Sequence, residues 1–409
     1  MIQPKVGFLG ASYWESLGLG YIASFLKSRL PEIDVEVYSQ AFDDDKTIIT
    51  GCVDADFVGF GCTTPQLKNA LELNRRIKLL NPGIFSVFGG YEPTARPFET
   101  SQLPDVDQVI VGEGERGMLA AVRGNKMKVA ISHPIENLDS FPYPDRELIK
   151  NRRNVELAFK ETGDRIASVQ ASRGCPFRCL PCSNVKMHGS EIRVRNPSFV
   201  LDEMKEISEH LSLDFIKFCD ATFNTTEKRV LDFCAEAGKQ GVLVPFGCNI
   251  HPSIGSYQMF EALAKVGCRE VWIGVESGSP KILKEMRKAV TVERIREVFK
   301  WTQDLGLVRR AYFLIGSPSE TGEDIELTEK LAEEIDADVY GFTILCPYPG
   351  TDLYDSEKYR EVDWSCADEY GNRFYRNQAF TNEELWKIRE NLVDKFKGKM
   401  CWRLRSEKS

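Results

Sequence analysis

Short apolar segments recur through the second part of the chain and constrain its fold more than any other feature. They occupy residues 166–169, 215–218, 242–246, 271–275, 311–315 and 339–342. A strand, a helix and two loops together take about 30 residues, so each interval has room for one βα unit. Six consecutive βα units predict a partial (β/α)6 TIM barrel with a site at the carboxyl ends of its strands.

The first 125 residues alternate apolar runs with amphipathic segments and predict a separate parallel sheet of the Rossmann-like kind. A helix is predicted over 67–80, and the predicted strands are 6–9, 35–38, 57–60, 85–88 and 109–111. Several strands run into glycine, at Gly10, Gly61, Gly89 with Gly90, and Gly112 with Gly114. Tight turns would explain any one of these glycines. Four such strand ends on one edge favour a bound cofactor, because small residues let a ligand approach the backbone.

These patterns predict an α/β protein with four parts. The parts are a Rossmann-like domain over 1–130, a proline-containing linker over 131–160, the barrel over 161–350 and a small, mainly helical C-terminal region over 351–409. The last helix is predicted to start with a capping box formed by Thr381 and Glu384. We expect the aromatic C-terminal region to cap a substrate, although core packing would explain its aromatic residues equally well.

Charge and apolar patterning narrow the functional classes. Lys and Arg number 53 against 61 Asp and Glu, a net charge of −8, which argues against a general binder of nucleic-acid backbones. No apolar run approaches the roughly 20 residues of a membrane span, and no signal peptide pattern opens the chain. We therefore expect a cytoplasmic protein whose twelve cysteines do not form a disulfide framework.

Three of the cysteines cluster directly after the first predicted barrel strand. Cys175, Cys179 and Cys182 have the spacing C-x3-C-x2-C, so three thiolates within eight residues can bind three irons of a 4Fe–4S cubane. The fourth iron is then open to a substrate. Structural zinc is the alternative, because His188 would complete a Cys3His set. The x3 spacing fits zinc poorly and favours the cluster.

Polar residues at strand ends are further candidates. Asp220 and Asn249 end the second and third predicted strands, and helix capping is an equal alternative for Asp220. Glu276 follows an apolar strand without a compensating charge, which favours a functional role. His251 precedes a proline in a loop and is expected at the surface.

The cysteine motif and the strand order resemble radical SAM enzymes over nearly the whole chain. Motifs in residues 271–279, 313–321 and 347–351 resemble that family's fourth-, fifth- and sixth-strand motifs. The resemblance implies catalytic roles for Asp220 and Glu276. It also implies that S-adenosylmethionine (SAM) is contacted by Phe177, Asn249, Glu276, Ser277 and Ile315. Pro181 stands where an aromatic residue commonly precedes the third cysteine.

The N-terminal part resembles the cobalamin-binding domain of the B12-dependent branch, in residues 17–23, 89–94, 111–115 and 138–145. The resemblance implies cobalamin contacts at Tyr13, Trp14, Thr63, Thr64, Gln66, Gly89, Gly90, Tyr91, Gly112, Glu113 and Gly114. An ordinary turn is an equal alternative for the loop around Thr63. Glu92 replaces a histidine of the motif. None of the four histidines lies in residues 1–132, so cobalamin is expected base-off and His-off, without a histidine from this domain.

The resemblance implies a methyltransferase that acts on an unactivated carbon. A 5′-deoxyadenosyl radical from SAM takes hydrogen from the substrate, and methylcobalamin supplies the methyl group. The family's substrates range from small molecules and lipids to peptides and a protein residue in methyl-coenzyme M reductase. The expected partners are the substrate and an electron donor such as ferredoxin or flavodoxin, with no nucleic acid and no membrane span. A non-methylating cyclisation or coupling is the nearer alternative, and a non-catalytic zinc-binding module is the more distant one.

Overall fold

The computed structural model describes residues 1–3, 15–241 and 244–399, which form two compact units. Unit 1 comprises the described residues within 1–158, 183–189 and 348–368. Unit 2 comprises the described residues within 159–182 and 190–347 and those after 368. Residues 183–189, which follow the cysteine motif, and residues 348–368, which follow the last barrel strand, thus belong to unit 1. The order of the sequence does not suggest this assignment.

Unit 1 is built on a parallel sheet with the strand order β2-β1-β3-β4-β5-β6. Its strands are β1 Ile2–Gln3, β2 Tyr38–Ser39, β3 Phe57–Gly61, β4 Phe85–Gly89, β5 Gln108–Val111 and β6 Val129–Ile131. The strands predicted over 57–60, 85–88 and 109–111 are confirmed. The prediction over 35–38 is wrong in extent, β6 was not predicted, and the strand predicted over 6–9 lies outside the described residues.

Helices flank the sheet of unit 1. They are α1 Leu17–Arg29, α2 Asp45–Cys52, α3 Leu67–Leu80, α4 Tyr91–Ala95, α5 Pro97–Ser101, α6 Gly114–Val122, α7 Asn151–Thr162, whose last residues belong to unit 2, and α8 Asn184–His188. Short 3₁₀ helices occupy Thr64–Gln66, Leu138–Ser140 and Trp364–Cys366. Helix α3 has the predicted bounds. Within the predicted linker, Phe141 lies edge-on against Tyr21 at 5.6 Å.

Unit 2 contains a second parallel sheet, with the order β14-β13-β12-β11-β10-β7, and a small antiparallel pair of β8 with β9. The strands are β7 Ile166–Val169, β8 Ser172–Arg173, β9 Arg193–Val194, β10 Phe215–Phe218, β11 Phe246–Ile250, β12 Cys268–Glu276, β13 Val308–Ile315 and β14 Val339–Ile344. Among the described residues β7 and β14 are the two edges, so the barrel is partial, as predicted. Of the strand predicted over 242–246, residues 242–243 lie outside the described residues, and β11 begins at Phe246.

The helices of unit 2 connect successive strands and begin at polar caps. They are α9 Pro197–Leu211, α10 Glu227–Gln240, α11 Tyr257–Lys265, α12 Pro280–Glu285, α13 Val292–Asp304, α14 Gly322–Ile335 and α15 Asn382–Lys395. Thr381 and Glu384 form the predicted capping box at α15, which satisfies main-chain N–H groups that have no partner within the helix. Across the described ranges, no helix is long and apolar enough to cross a membrane.

Candidate functional site

The three clustered cysteines lie in the loop that joins β8 to α8. None of the three is in a disulfide; Cys175 and Cys179 are half-buried and Cys182 is exposed. Burial raises the pKa of Cys179 to about 11, and the Lys288 ammonium nearby opposes this rise. Burial also raises the pKa of Cys175, against a hydrogen bond from the main-chain N–H of Phe177. Thiols with a cation and an N–H donor beside them can be deprotonated when they bind a metal.

The donors fit a cubane better than a single metal ion. In the part of the chain that the structure describes, no group of three His, Cys, Asp or Glu side chains converges to hold one ion. A cubane has no such requirement because each thiolate binds a different iron, whereas structural zinc needs four donors about 2.0–2.3 Å from one ion. His188, the fourth ligand in the zinc alternative, instead bonds through Nδ1 to Glu113 Oε1 at 2.8 Å. The residues present fit the cluster.

A buried ion pair lies beside the cysteine loop. Lys288 is 8% exposed, and its Nζ lies 2.7 Å from Oε1 of Glu276, the last residue of β12. Burial lowers the pKa of Lys288, but Glu276 and Cys179 outweigh burial and raise it. A Cβ on Gly274 would lie 2.6 Å from the Glu276 carboxylate and 2.7 Å from the Lys288 ammonium, so glycine there leaves room for the pair.

The backbone around this ion pair is strained. Glu276, Arg287 and Ala289 all have positive φ, of 64°, 55° and 52°. Such conformations cost about 1–3 kcal/mol for residues other than glycine and often occur at functional sites. The Leu180 N–H donates to the Met286 carbonyl at 2.9 Å, which ties this segment to the cysteine loop. Sequence reasoning missed Lys288, because nothing in its local pattern separates it from an exposed lysine at the end of a helix.

Asp220 supports the start of the cysteine loop. Its carboxylate accepts from the Ala171 N–H at 3.0 Å, from the Ser172 hydroxyl and from Arg229 at 2.9 Å. It does not cap a helix, since α10 is capped by Thr226, so the capping alternative is wrong. The structure therefore gives this carboxylate a positioning contact, and its predicted catalytic role stays a prediction.

Three of the residues predicted to contact SAM lie at or near the ends of three different strands, β11, β12 and β13. Asn249, next to last in β11 rather than at its end, donates to the Asp220 carbonyl at 2.9 Å. Ser277 is fully buried, and its hydroxyl bonds to the hydroxyl of Thr328 and accepts from the Ser279 N–H. Ile315 ends β13 and is fully buried. Their predicted contacts with SAM stay predictions.

Phe177 of the cysteine loop stacks on a buried histidine. The rings of Phe177 and His251 are parallel within 10°, with centroids 3.6 Å apart. His251 is only 5% exposed, so the expectation that it lies at the surface is wrong. Burial, and to a smaller extent the Lys288 ammonium, lowers the pKa of His251 to about 3. The tertiary fold brings this ring to the loop, and no local sequence signal indicates it.

Different physical reasons explain the glycines at the edge of the first sheet. Gly90 has φ 95°, and a Cβ there would lie 2.7 Å from the Cys62 carbonyl oxygen. A Cβ on Gly114 would lie 2.5 Å from the Ile22 side chain. Packing against the Cys62 backbone therefore requires glycine at position 90, whereas at position 114 the Ile22 side chain would have to move. At Gly89 the nearest atom would be 3.9 Å away, so the fold leaves room there. Gly112 has φ 88°, which favours glycine by itself.

The predicted cobalamin loop after β3 is bonded mainly to itself. The N–H and hydroxyl of Thr63 both donate to Gln66 Oε1, at 2.9 and 3.0 Å, and form a capping box. Thr64 is buried. These contacts account for the loop as a Thr/Pro helix start, and its cobalamin role stays a prediction. The predicted residues Tyr13 and Trp14 lie outside the described residues.

Two acidic residues of this edge are held by basic partners. Glu113, buried at the start of α6, is bonded to His188, whose ring lies edge-on to Tyr91 at 6.3 Å. The chain thus brings a histidine to the predicted cobalamin edge from beyond residue 132. Glu92, which replaces the motif histidine, is fully buried and accepts from Arg96 at 2.7 Å.

Aromatic residues from beyond the barrel also pack in unit 1. Arg96 Nη1 donates to the Tyr354 hydroxyl at 3.3 Å, and Tyr354 packs on Trp364 at 6.1 Å. The 3₁₀ helix containing Trp364 lies against the one over Thr64–Gln66. These aromatic residues are therefore at least partly explained by packing.

Known families match both parts of the chain. Residues 169–332 match the radical SAM superfamily and residues 9–122 match the B12 binding domain. An uncharacterized methyltransferase of Pyrococcus horikoshii is 30% identical over 83% of this chain and 77% of its own length. An anaerobic magnesium-protoporphyrin IX monomethyl ester cyclase of Rubrivivax gelatinosus is 26% identical over 86% of this chain and 70% of its own length.

Solved structures share the fold. The radical SAM methyltransferase TsrM of Kitasatospora setae, with cobalamin and a [4Fe-4S] cluster bound, has a TM-score of 0.70 and 18% identity. The alignment covers 86% of this chain and 73% of that one. The cobalamin-dependent SAM radical enzyme OxsB has a TM-score of 0.68 and 18% identity over 96% of this chain and 55% of its own.

Proposed function

Because this chain belongs to the cobalamin-dependent radical SAM methyltransferase family, we propose that it methylates an unactivated carbon of its substrate. The cluster, SAM and cobalamin when bound would supply electron transfer, radical hydrogen abstraction and a methyl carrier. The observation that carries the proposal is the pairing, in one chain, of the cysteine loop and its ion pair with a glycine-edged sheet of the B12-binding kind.

The residues of unit 2 would bind and orient the groups that react. Cys175, Cys179 and Cys182 would hold three irons. Glu276 and Lys288 together present a carboxylate and an ammonium 2.7 Å apart, which complement the ammonium and carboxylate of an amino acid such as the methionyl part of SAM. Both groups are largely buried, so their charges act with little screening by water. This preorganisation would orient SAM at the cluster.

A non-methylating cyclisation is the second candidate. It is favoured by the relative from Rubrivivax gelatinosus, which is named a cyclase and aligns with most of this chain. The two candidates differ in what happens to the methyl group of SAM. Methyl transfer consumes it and leaves S-adenosylhomocysteine, whereas cyclisation leaves it untouched.

The test counts the products of SAM in anaerobic protein reconstituted with iron, sulfide and hydroxocobalamin. With SAM and dithionite but no substrate, we expect S-adenosylhomocysteine in an amount that matches the bound cobalamin. A Cys175/Cys179/Cys182→Ala triple variant serves as the control, and it should lose its iron and the ability to form 5′-deoxyadenosine while it retains cobalamin. Production of 5′-deoxyadenosine without S-adenosylhomocysteine would contradict methyl transfer and favour the cyclase.

The substrate class is tested with four probes. A magnesium porphyrin ester is chosen after the Rubrivivax gelatinosus cyclase, and a cytidylyl phosphonate and a hopanoid are chosen after two further relatives, a cytidylyl-2-hydroxyethylphosphonate methyltransferase and a hopanoid C-3 methylase. A synthetic peptide is chosen because the family resemblance includes peptide substrates. A methylated substrate should bring 5′-deoxyadenosine and S-adenosylhomocysteine in matched amounts. We further propose ferredoxin or flavodoxin as the electron donor, which replacement of dithionite by either protein tests.

A further inference from the structure

His251 carries a buried hydrogen-bond donor that no described group uses. The Nε2 atom has no hydrogen-bond partner, although the whole residue is 95% buried. A buried donor without a partner costs about 1–3 kcal/mol, and in folded proteins such groups generally meet a ligand or water. The Lys288 main chain lies close to the ring and acts to raise the pKa of His251 against the larger effect of burial, but it makes no hydrogen bond of normal geometry with Nε2.

The tautomer of the ring follows from its other nitrogen. The Ser253 N–H lies 3.3 Å from Nδ1, and the Ser253 hydroxyl lies 2.7 Å from it. A main-chain N–H can only donate, so Nδ1 is an acceptor and carries no proton. The ring is therefore neutral, with its single proton on Nε2, where it can donate but not accept.

The position of the ring identifies what it can donate to. Phe177 lies between Cys175 and Cys179, and its side chain stacks on His251 at 3.6 Å. The main-chain N–H of the same Phe177 bonds to the sulfur of Cys175. The Lys288 ammonium acts electrostatically on the same ring and also on Cys179 and Cys182. The imidazole thus lies beside the cysteine loop and within the range of a charge that acts on two of its sulfurs.

We propose that the Nε2–H of His251 donates a hydrogen bond to a sulfur of the 4Fe–4S cluster held by Cys175, Cys179 and Cys182, as a positioning residue that sets the reduction potential. The proposal rests on the cluster and not on methyl transfer. Its test is therefore independent of the measurement of S-adenosylhomocysteine described above. A donor to sulfur stabilises the more negative, reduced cluster and raises its potential, which hydrogen bonding to the sulfurs is known to tune.

The test is a redox titration of the reconstituted cluster, followed by electron paramagnetic resonance without SAM. His251→Phe keeps a ring to stack on Phe177 but removes the donor. At a fixed solution potential near the wild-type midpoint, we expect the ratio of reduced to oxidised cluster to fall about tenfold, equivalent to 59 mV for one electron. Ser253→Ala is the matched control, because it perturbs the same ring yet leaves Nε2–H, and it should leave the potential unchanged.

A second measurement needs no variant. Protein labelled with ¹⁵N at histidine should show a nitrogen coupling to the reduced cluster in pulsed paramagnetic resonance, with and without SAM. An unchanged potential in His251→Phe, or the absence of this coupling, would overturn the proposal. A normal potential combined with weakened binding of SAM would also overturn it, and would assign the donor to SAM instead.

Discussion

The two candidate sites differ in which buried polar atom lacks a hydrogen-bond partner: an acceptor, Glu92 Oε2, at the edge of the first sheet, and a donor, His251 Nε2–H, beside the cysteine loop. Along the edge of the first sheet, Thr63 is bonded to Gln66 and Glu113 to His188. Beside the cysteine loop, Lys288 and Glu276 form a pair among half-buried thiols, and His251 keeps an unused donor. Groups that bond to one another are explained by the fold itself. A buried group without a partner is not explained by the bonds of the fold itself, so the Glu92 oxygen and the His251 donor are the stronger evidence for a ligand at their respective sites.

Two neighbouring glycines at the edge of the first sheet also differ, because packing requires Gly90 whereas the fold leaves room at Gly89. Substitution of each by alanine tests this difference and should give the largest change in stability. Gly90→Ala should lower the free energy of unfolding by about 4 kcal/mol, because alanine is strained at φ 95° and its Cβ would meet the Cys62 backbone. Gly89→Ala should leave stability within about 0.5–1 kcal/mol, since the nearest atom is 3.9 Å away. Urea unfolding of both apo-proteins measures this.

Titration of the Gly89→Ala protein with hydroxocobalamin then tests whether the open space at this glycine serves cobalamin binding. We expect binding about tenfold weaker, or about 1.4 kcal/mol, if the open position serves the corrin. Unchanged cobalamin affinity would show that Gly89 has no role in binding, and a stable Gly90→Ala protein would refute the packing explanation.

Lys288→Met tests the ion pair of unit 2. Removal of one partner leaves the Glu276 carboxylate partly buried beside the cysteines, and we expect a loss of about 3 kcal/mol in urea unfolding. Lys284→Met, on the exposed face of the neighbouring helix α12, is the matched control and should change stability by less than about 0.5 kcal/mol. Equal losses in the two variants would contradict a special contribution of the pair.

A further prediction about stability concerns Glu320, which is buried five residues after the end of β13. Its carboxylate accepts from the Gly316 N–H, and burial raises its pKa from 4.5 to about 7. The folded state therefore holds this proton over a range in which the unfolded chain has lost it, and stability falls as pH rises from about 4.5 to about 7. Glu320→Gln should remove about 2 kcal/mol of that decline between pH 5 and pH 8.

Unfolding of the Glu320→Gln protein across that pH range checks the sign. Exposed Glu323→Gln, at the start of α14, is the control and should keep the wild-type pH dependence. A variant that loses stability more steeply than the wild type as pH rises would show that the carboxyl is charged in the fold.

Local patterns predicted some elements to the residue and others only in part. Helix α3 and strand β7 have the predicted bounds, because each has its own apolar periodicity between breaking residues. Strand β11 begins only at the last residue of the run predicted over 242–246, because pairing with neighbouring strands decides where a strand begins. The return of residues 183–189 and 348–368 to unit 1 depends on contacts between distant parts of the chain.

The sequence by itself determined the βα order, the partial barrel and the cysteine motif, since each is encoded by spacing over a few tens of residues. Only the tertiary structure decided which charged and polar groups surround those cysteines. Lys288 and His251 come from separate loops, 109 and 72 residues beyond Cys179, and nothing near them in sequence marks them. Burial, hydrogen bonding and charge depend on neighbours in space, so the environment that tunes the chemistry was set by folding.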